Sequence, residues 1–360
     1  MKAKSLVIGF IIVIFFLVAS CSSKDPISID ITETNFINQS NLVLKGDIID
    51  FDAMGADDIC ICDSIILVFS KNPASQLCAY DLNDMTLVAK MCSKGRAANE
   101  MIDPSSLSSQ YYKRNGDLIV PVIDNHIMLK EINITKSIER HTTVIEHKSD
   151  CISTMEGNFV LVDNDPDKRF EYREATVDDV YSNKITNPSF YIREKGKEKR
   201  KFKYNQLMKG NMNYAASFCY GSLYKHPSKN LIIQPLQYLD YILFFDLDNK
   251  REYGIHQVGS LSFSDEAPKK AMIHLINYVA TSEDFFMIMH INHDSNTSED
   301  NLSPNELLVF DWSGMLIGSA RMDHIVNRLA FDARNNNLYG LSVKEEKLYR
   351  FNLDELLPRN

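Results

Sequence analysis

Four copies of one short pattern constrain the fold more than anything else in the chain. Tyr80-Asp81-Leu82, Phe245-Asp246-Leu247, Phe310-Asp311-Trp312 and Phe351-Asn352-Leu353 each close an apolar run and stand before a turn. Alternation puts the aromatic and the Leu or Trp on one face, which a sheet can bury. The polar residue between them suits the start of a turn, because its side chain can accept a backbone N–H just downstream. Strand-like runs surround these kernels. "SIILVFS" (64–70), "QLCAYDL" (76–82) and "TLVAKMC" (86–92) come first, then "GDLIVPVID" and "HIMLKEINI" (116–134). The theme returns in 230–258, in 285–322 and in "RLAFDARNNNLYGLSVKEEKLYRFNL" (328–353). No helical periodicity of comparable length competes with it.

Repeated sheet units joined by short hairpins suit radial closure, which protects strand edges. From residue 42 to 356 the pattern divides into six units of about 52 residues, enough for four strands and their loops. The expectation is an all-β chain: a six-bladed β-propeller over 41–357 with four-stranded antiparallel blades. "NLVLKGDIID" (41–50) has no unit of its own, so it is expected to donate a strand to the blade formed by 325–356 and close the ring.

The N-terminus has a different character. Lys2 and Lys4 precede an uncharged apolar run from Leu6 to Val18. That run is short for a spanning helix, which needs about 20 residues, and fits the core of a signal peptide. Val18-Ala19-Ser20-Cys21 is similar to the bacterial lipobox. The resemblance implies that residues 1–20 are removed and that Cys21 carries the lipid, with 21–40 as a tether. Two or more acyl chains hold a protein stably at a bilayer. Ser22 stands where an aspartate would imply inner-membrane retention, so the expected address is the outer membrane, facing the periplasm or the cell surface.

Loss of Lys2 and Lys4 leaves 37 basic and 48 acidic side chains, a net charge of −11. That balance argues against nucleic acid as a partner. The expected partners are the membrane, through the lipid, and a protein or small-molecule ligand. Six cysteines remain after Cys21; Cys60-Ile61-Cys62 lacks zinc spacing and on a strand places both sulfurs on one face. Buried free thiols are the simplest reading of them.

After the first unit comes Lys94-Gly95-Arg96-Ala97-Ala98-Asn99-Glu100-Met101, with Pro104 three residues on. Gly95, Arg96, Asn99, Glu100 and Pro104 resemble the interblade turn of six-bladed TolB-like propeller lipoproteins from Bacteroidetes, while Ala97, Ala98 and Met101 depart from it. The resemblance implies a propeller lipoprotein and brings no catalytic residues with it.

Two stretches offer candidate chemistry. In "DNDPDKRFEYRE" the carboxylates of Asp163, Asp165, Asp167 and Glu171 are spaced like those of a calcium loop, which would hold Ca2+. Lys168 occupies the place where glycine makes the sharp turn, and Pro166 stiffens the loop, so an ordinary acidic turn is expected and no cofactor is required. Arg193, Lys195, Lys197, Lys199, Arg200, Lys201 and Lys203 form a basic hairpin that could meet an anionic glycan or headgroup. "HINHD" offers His290, His293 and Asp294, but on a strand the two histidines face opposite ways. There is no Gly-x-Ser-x-Gly elbow and no phosphate-binding glycine loop. The reading is a lipid-anchored binding or scaffold protein. The alternative is a glycan-acting hydrolase or lyase with its site at the channel of the ring.

Overall fold

The kernels do what their pattern dictates. In a computed structural model of the chain, Tyr80, Phe245, Phe310 and Phe351 are buried at the ends of strands Leu77–Asp81, Tyr241–Asp246, Glu306–Asp311 and Lys347–Asn352. The polar residue of each kernel caps the turn that follows. Asp81 Oδ1 accepts the N–H of Asn83 at 2.8 Å, Asp246 Oδ1 that of Asn249 at 3.0 Å, and Asn352 Oδ1 that of Asp354 at 2.8 Å. Asp311 Oδ1 accepts two, from Ser313 and Met315, both at 2.9 Å. Leu82, Trp312 and Leu353 are buried beside their aromatics, and Leu247 is partly buried.

The structure describes residues 29–37, 40–51, 54–150, 159–173, 189–204, 221–261, 272–294 and 306–357. They form six antiparallel sheets arranged as the six blades of a propeller. Blade 1 runs from Ala56 to Met91, blade 2 from Pro104 to Asp150 and blade 3 from Phe159 to Lys201. Blade 4 runs from Tyr224 to Gln257, blade 5 from Met272 to Met322 and blade 6 from Arg328 to Asn352. Within each blade the strands from Ala56 onward follow chain order from the axis outward. Blade 2 also holds the chain's one described helix, Ile134–Arg140, whose N-cap is Asn133: its side chain accepts the Lys136 N–H at 2.9 Å.

Apolar side chains fill every junction between neighbouring blades. Phe159 and Leu161 of blade 3 pack on Ile119 and Leu129 of blade 2. Ile59, Val68 and Tyr80 of blade 1 pack on Tyr339, Leu341 and Leu348 of blade 6. That last cluster closes the circle. Residues Gly46–Ile49 supply the fourth, outermost strand of blade 6, antiparallel to Lys347–Asn352 with Ile48 opposite Tyr349. The segment expected to close the ring is the one that does so.

The same segment does more than its sequence shows. Before it reaches blade 6, Asp30–Thr34 pairs in parallel with Arg251–Gln257 as a fifth strand of blade 4, and Val43–Leu44 pairs with the outer strand of blade 5. Phe36 is fully buried between blades 4 and 5, edge-on to Phe310 at 5.5 Å. Gln257 Oε1 accepts the N–H groups of Phe36 and Ile37 at 2.8 and 2.9 Å. The N-terminal segment thus straps three consecutive blades and covers edges that would otherwise be open to pairing.

The interblade turn at Gly95 also has a physical reason. A Cβ on Gly95 would stand 1.9 Å from the carboxylate of Glu100, whose Oε2 accepts the Ala97 N–H at 2.8 Å. Only glycine leaves room for that bond. The buried pair Lys130–Asp124, at 2.6 Å, completes the turn: Lys130 Nζ donates to Glu100 O, and Asp124 Oδ1 accepts the N–H groups of Ile102 and Asp103.

Candidate functional site at the channel mouth

In a propeller the first strand of each blade lines the axis, and the turn that follows it rims one end of the channel. Here that end opens into a cavity of about 190 Å³ to which all six blades contribute, among them Asp63, Tyr111, Asn164, Lys225, Glu283 and Arg334. It is smaller than the ~300–1,000 Å³ of pockets for drug-sized ligands, so it suits a small molecule or one end of a larger one.

The carboxylates at the rim are already engaged. Asp63 pairs with Lys113 at 2.9 Å. Glu283 accepts the Ser228 hydroxyl at 2.6 Å. Asp332 is buried, pairs with Arg334 at 3.2 Å and accepts Asn335 Nδ2 at 2.9 Å. Among the described residues no three His, Cys, Asp or Glu side chains are grouped to hold a metal ion.

His226 is wholly buried and stacks obliquely on Trp312, with ring centroids 4.7 Å apart. Its Nδ1 accepts the N–H groups of Ser228 and Lys229 at 3.2 and 3.3 Å, which leaves the proton on Nε2. Burial holds the ring's pKa below its ordinary value, so it is neutral near pH 7. Beside it, Lys225 is 7% exposed.

Deeper along the same inner strands lies a second polar group. Asp58 of blade 1 accepts the hydroxyl of Ser106 from blade 2 and the N–H of Ile59. It stands 3.8 Å from the Arg328 guanidinium of blade 6, which in turn lies 3.7 Å over the Tyr278 ring of blade 5. Both Asp58 and Arg328 are 20% exposed. Burial pushes the Asp58 carboxyl up to about 6, against the opposing pull of Arg328 and the two hydrogen bonds.

This raised value sets a pH dependence. The folded protein holds the Asp58 proton more tightly than the unfolded chain, whose aspartates titrate near 3.9. The group's contribution is therefore fully present below about pH 4 and is lost as pH rises through about 6. The loss amounts to about 3 kcal/mol for a shift of this size. In Asp58→Asn that pH 4–6 decline should be absent, so the gap between variant and wild-type melting temperatures should widen across this range in the variant's favour. Parallel curves from pH 4 to 7 would show that Asp58 is not the titrating group.

The other candidate residues lie away from the mouth or at its edge. Asp163 and Asn164, both at positive φ, form the two-residue turn between Phe159–Val162 and Asp165–Arg173. Asp163 pairs with Lys168 and accepts Asn230 Nδ2, Asp165 accepts the Asp167 N–H, and Glu171 holds Arg193 at 3.0 Å. The carboxylates of Asp163, Asp165 and Glu171 thus serve separate partners, and Asp167 takes part in this turn through its backbone. The basic hairpin turns at Lys195-Gly196. Arg193 bonds Glu171, Lys199 stands 3.9 Å from Glu194, and Arg200 lies over the Phe202 ring at 4.5 Å. Lys195 and Lys197 are exposed at the tip, and Lys203 is exposed where the chain leaves the blade. The side chain of Lys201 lies outside the described residues, as do Cys21 and the side chains of His293 and Asp294. His290 is buried, with Nε2 3.6 Å from Asp240. Cys60, Cys62, Cys78 and Cys92 are free and buried, the first two with sulfurs 3.5 Å apart on one face of their strand.

No protein-family model matches the chain, and no curated protein matches it in sequence. Solved structures with the same fold are numerous. A protein from Bacteroides fragilis that is named as exported superimposes with a TM-score of 0.50 at 10% identity, over 92% of this chain and 98% of its own. Raptor from Chaetomium thermophilum gives 0.49 at 9% identity, over 88% of this chain; the match spans 29% of Raptor. The Swd1 propeller domain of Myceliophteria thermophila gives 0.43 at 8% identity. At such identities the likeness is one of fold alone: this chain is a six-bladed β-propeller.

Proposed function

We propose that this protein is a lipid-anchored propeller of the bacterial cell envelope that binds a small ligand, or one end of a protein partner, at the mouth of its central channel. One observation carries the binding site: six segments far apart in sequence converge on a single cavity lined in part by the buried polar side chains of Lys225, His226, Ser282 and Asp332. Loops held on a rigid scaffold are where binding residues concentrate. The anchor rests on the signal-like residues 1–20 and the lipobox at Cys21, and export of the Bacteroides fragilis neighbour accords with it.

Each half has its own test. Cys21→Ser should release the protein from the membrane fraction or stall its processing; incorporation of an acyl analogue undiminished by that change would overturn the anchor. For the site, Ala333 is exposed at the rim, so Ala333→Trp should obstruct the cavity without disturbing the core. A thermal-shift screen of small metabolites should give at least one stabiliser of the wild type that fails to stabilise Ala333→Trp, with the unliganded melting temperatures equal. Stabilisers that act equally on both proteins would place the site elsewhere.

A further inference from the structure

We infer that the channel mouth recognises an oxyanion, a carboxylate or a phosphate-like group of a small ligand, and that the Lys225 ammonium is its counter-ion. This rests on the mouth being the binding site and adds the chemistry of what enters it.

Lys225 is a buried cation without a close counter-charge among the described residues. Lys225 lines the cavity, is 7% exposed, and carries three donors on its ammonium. Among the described residues its one hydrogen bond is to the backbone carbonyl of His226, at a long 3.4 Å, and no carboxylate there stands within ion-pair distance. Asp163, Asp248 and Glu283 act on it only from farther off. A buried ammonium without a partner is costly, which is why buried lysines in folded proteins are paired. Desolvation accordingly pulls its pKa below the ordinary lysine value.

The neighbouring groups do not relieve this imbalance. Asp63, Glu283 and Asp332 are each held by a partner of their own. The Glu283 partner is a neutral hydroxyl, so its charge offsets that of Lys225 only from a distance; what stays unmet among the described residues is a close acceptor for the buried ammonium. A second buried donor adds to it, because His226 Nε2 has no hydrogen-bond partner among the described residues. Of two buried donor groups on adjacent residues, one has only a long bond to a carbonyl and the other has no acceptor among the described residues, and an oxyanion has acceptor lone pairs to spare. Charge-assisted bonds of this kind are stronger than neutral ones.

The same imbalance predicts a signature that a purely structural lysine would not give. Lys225→Met replaces an unpaired buried charge by an apolar side chain of similar length, so the unliganded variant should melt at or above the wild-type temperature. A lysine retained for packing would instead lose stability on replacement. The binding experiment uses calorimetry on the protein at low ionic strength with acetate, malonate, galacturonate and inorganic phosphate as probes. At least one should bind the wild type and bind Lys225→Met roughly tenfold or more weakly. Lys195→Met, at the tip of the basic hairpin, should bind like the wild type. A carboxylate preference would point to organic acids or uronates, and a phosphate preference to phosphate esters.

No heat from any probe, or heat unaffected by Lys225→Met, would overturn the inference. So would binding lost in Lys195→Met alone, which would assign the anions to the hairpin. Should Lys225→Met fail to fold, Lys225→Gln is read in its place under the same criteria. If anions do not bind while neutral metabolites stabilise the wild type and not Ala333→Trp, the mouth stands as the site and only the oxyanion assignment fails.

Discussion

Deletion of residues 41–50 is expected to abolish cooperative folding of the whole ring. The deletion removes the outermost strand of blade 6, Gly46–Ile49, together with the Val43–Leu44 strand on blade 5. Its direct costs are several. The ladder with Leu348–Phe351 is lost, so Lys347–Asn352 becomes an open edge. Leu44 leaves the cluster it shares with Met322 and Phe351, at a cost of about 1.5–3 kcal/mol for one fully buried Leu. Strand 30–34 and Phe36 stay joined to the chain that enters blade 1, but through a linker ten residues shorter, which pulls against their places on blades 4 and 5. A domain is stable by only ~5–15 kcal/mol, so these losses remove much of the margin. Since each blade leans on its neighbours, the damage should spread around the ring. Calorimetry should show the single transition of the wild type replaced by a broad or missing one. An unchanged melting curve would mean that the ring does not depend on its closing strand.

Phe245→Ala should have the next largest effect. Phe245 is the kernel aromatic of blade 4 and is wholly buried. Its ring lies 4.5 Å from Phe190, 4.8 Å from Phe170, 5.2 Å from Tyr204 and 5.7 Å from Phe202, all from blade 3 or the segment after it. A Phe→Ala change in a core costs about 3–5 kcal/mol, more where the site cannot collapse. Four aromatic partners held across the junction between blades 3 and 4 leave little freedom to collapse. Asp246→Ala, one residue on, breaks only exposed turn bonds to Asn249 and should cost about 1 kcal/mol. Denaturant midpoints of the two variants should therefore separate clearly. Equal losses would contradict the division of labour within the kernel.

The contrast explains how much of the molecule could be read in advance. The kernel is a local device: alternation decides which side chains are buried, and a short polar residue decides where the turn begins. Both are set by neighbours in sequence, so strand positions, the blade number and the closing strand were legible. Cys60 and Cys62 likewise fell on one face because a strand repeats every two residues. The strap on blades 4 and 5 was not legible. Asp30–Thr34, "DITET", is mostly polar because it lies on the outside of blade 4 and buries little. Its partner strand is more than 200 residues away.

The mouth was illegible for a related reason. Lys225 and His226 sit at the end of a two-residue strand, Tyr224–Lys225, too short to carry a pattern. Nothing nearby in sequence marks them as buried; they are buried because five other blades converge there. Of the carboxylates spaced like a calcium loop, Asp163, Asp165 and Glu171 are bound to separate partners. Local spacing identified turn chemistry well and convergence not at all.

Everything proposed for the mouth depends on the six inner strands being held in one closed ring. Native-state hydrogen exchange on the N–H groups of residues 46–49 and 348–351 tests that most directly. The closed ring predicts that these amides, at the N-terminal side of the seam and its C-terminal partner, exchange only through global unfolding, with the same free energy as the buried strand Ile65–Ser70 of blade 1. Exchange of residues 46–49 at the rate of exposed loops, while Ile65–Ser70 stays protected, would contradict closure and with it the account of the site.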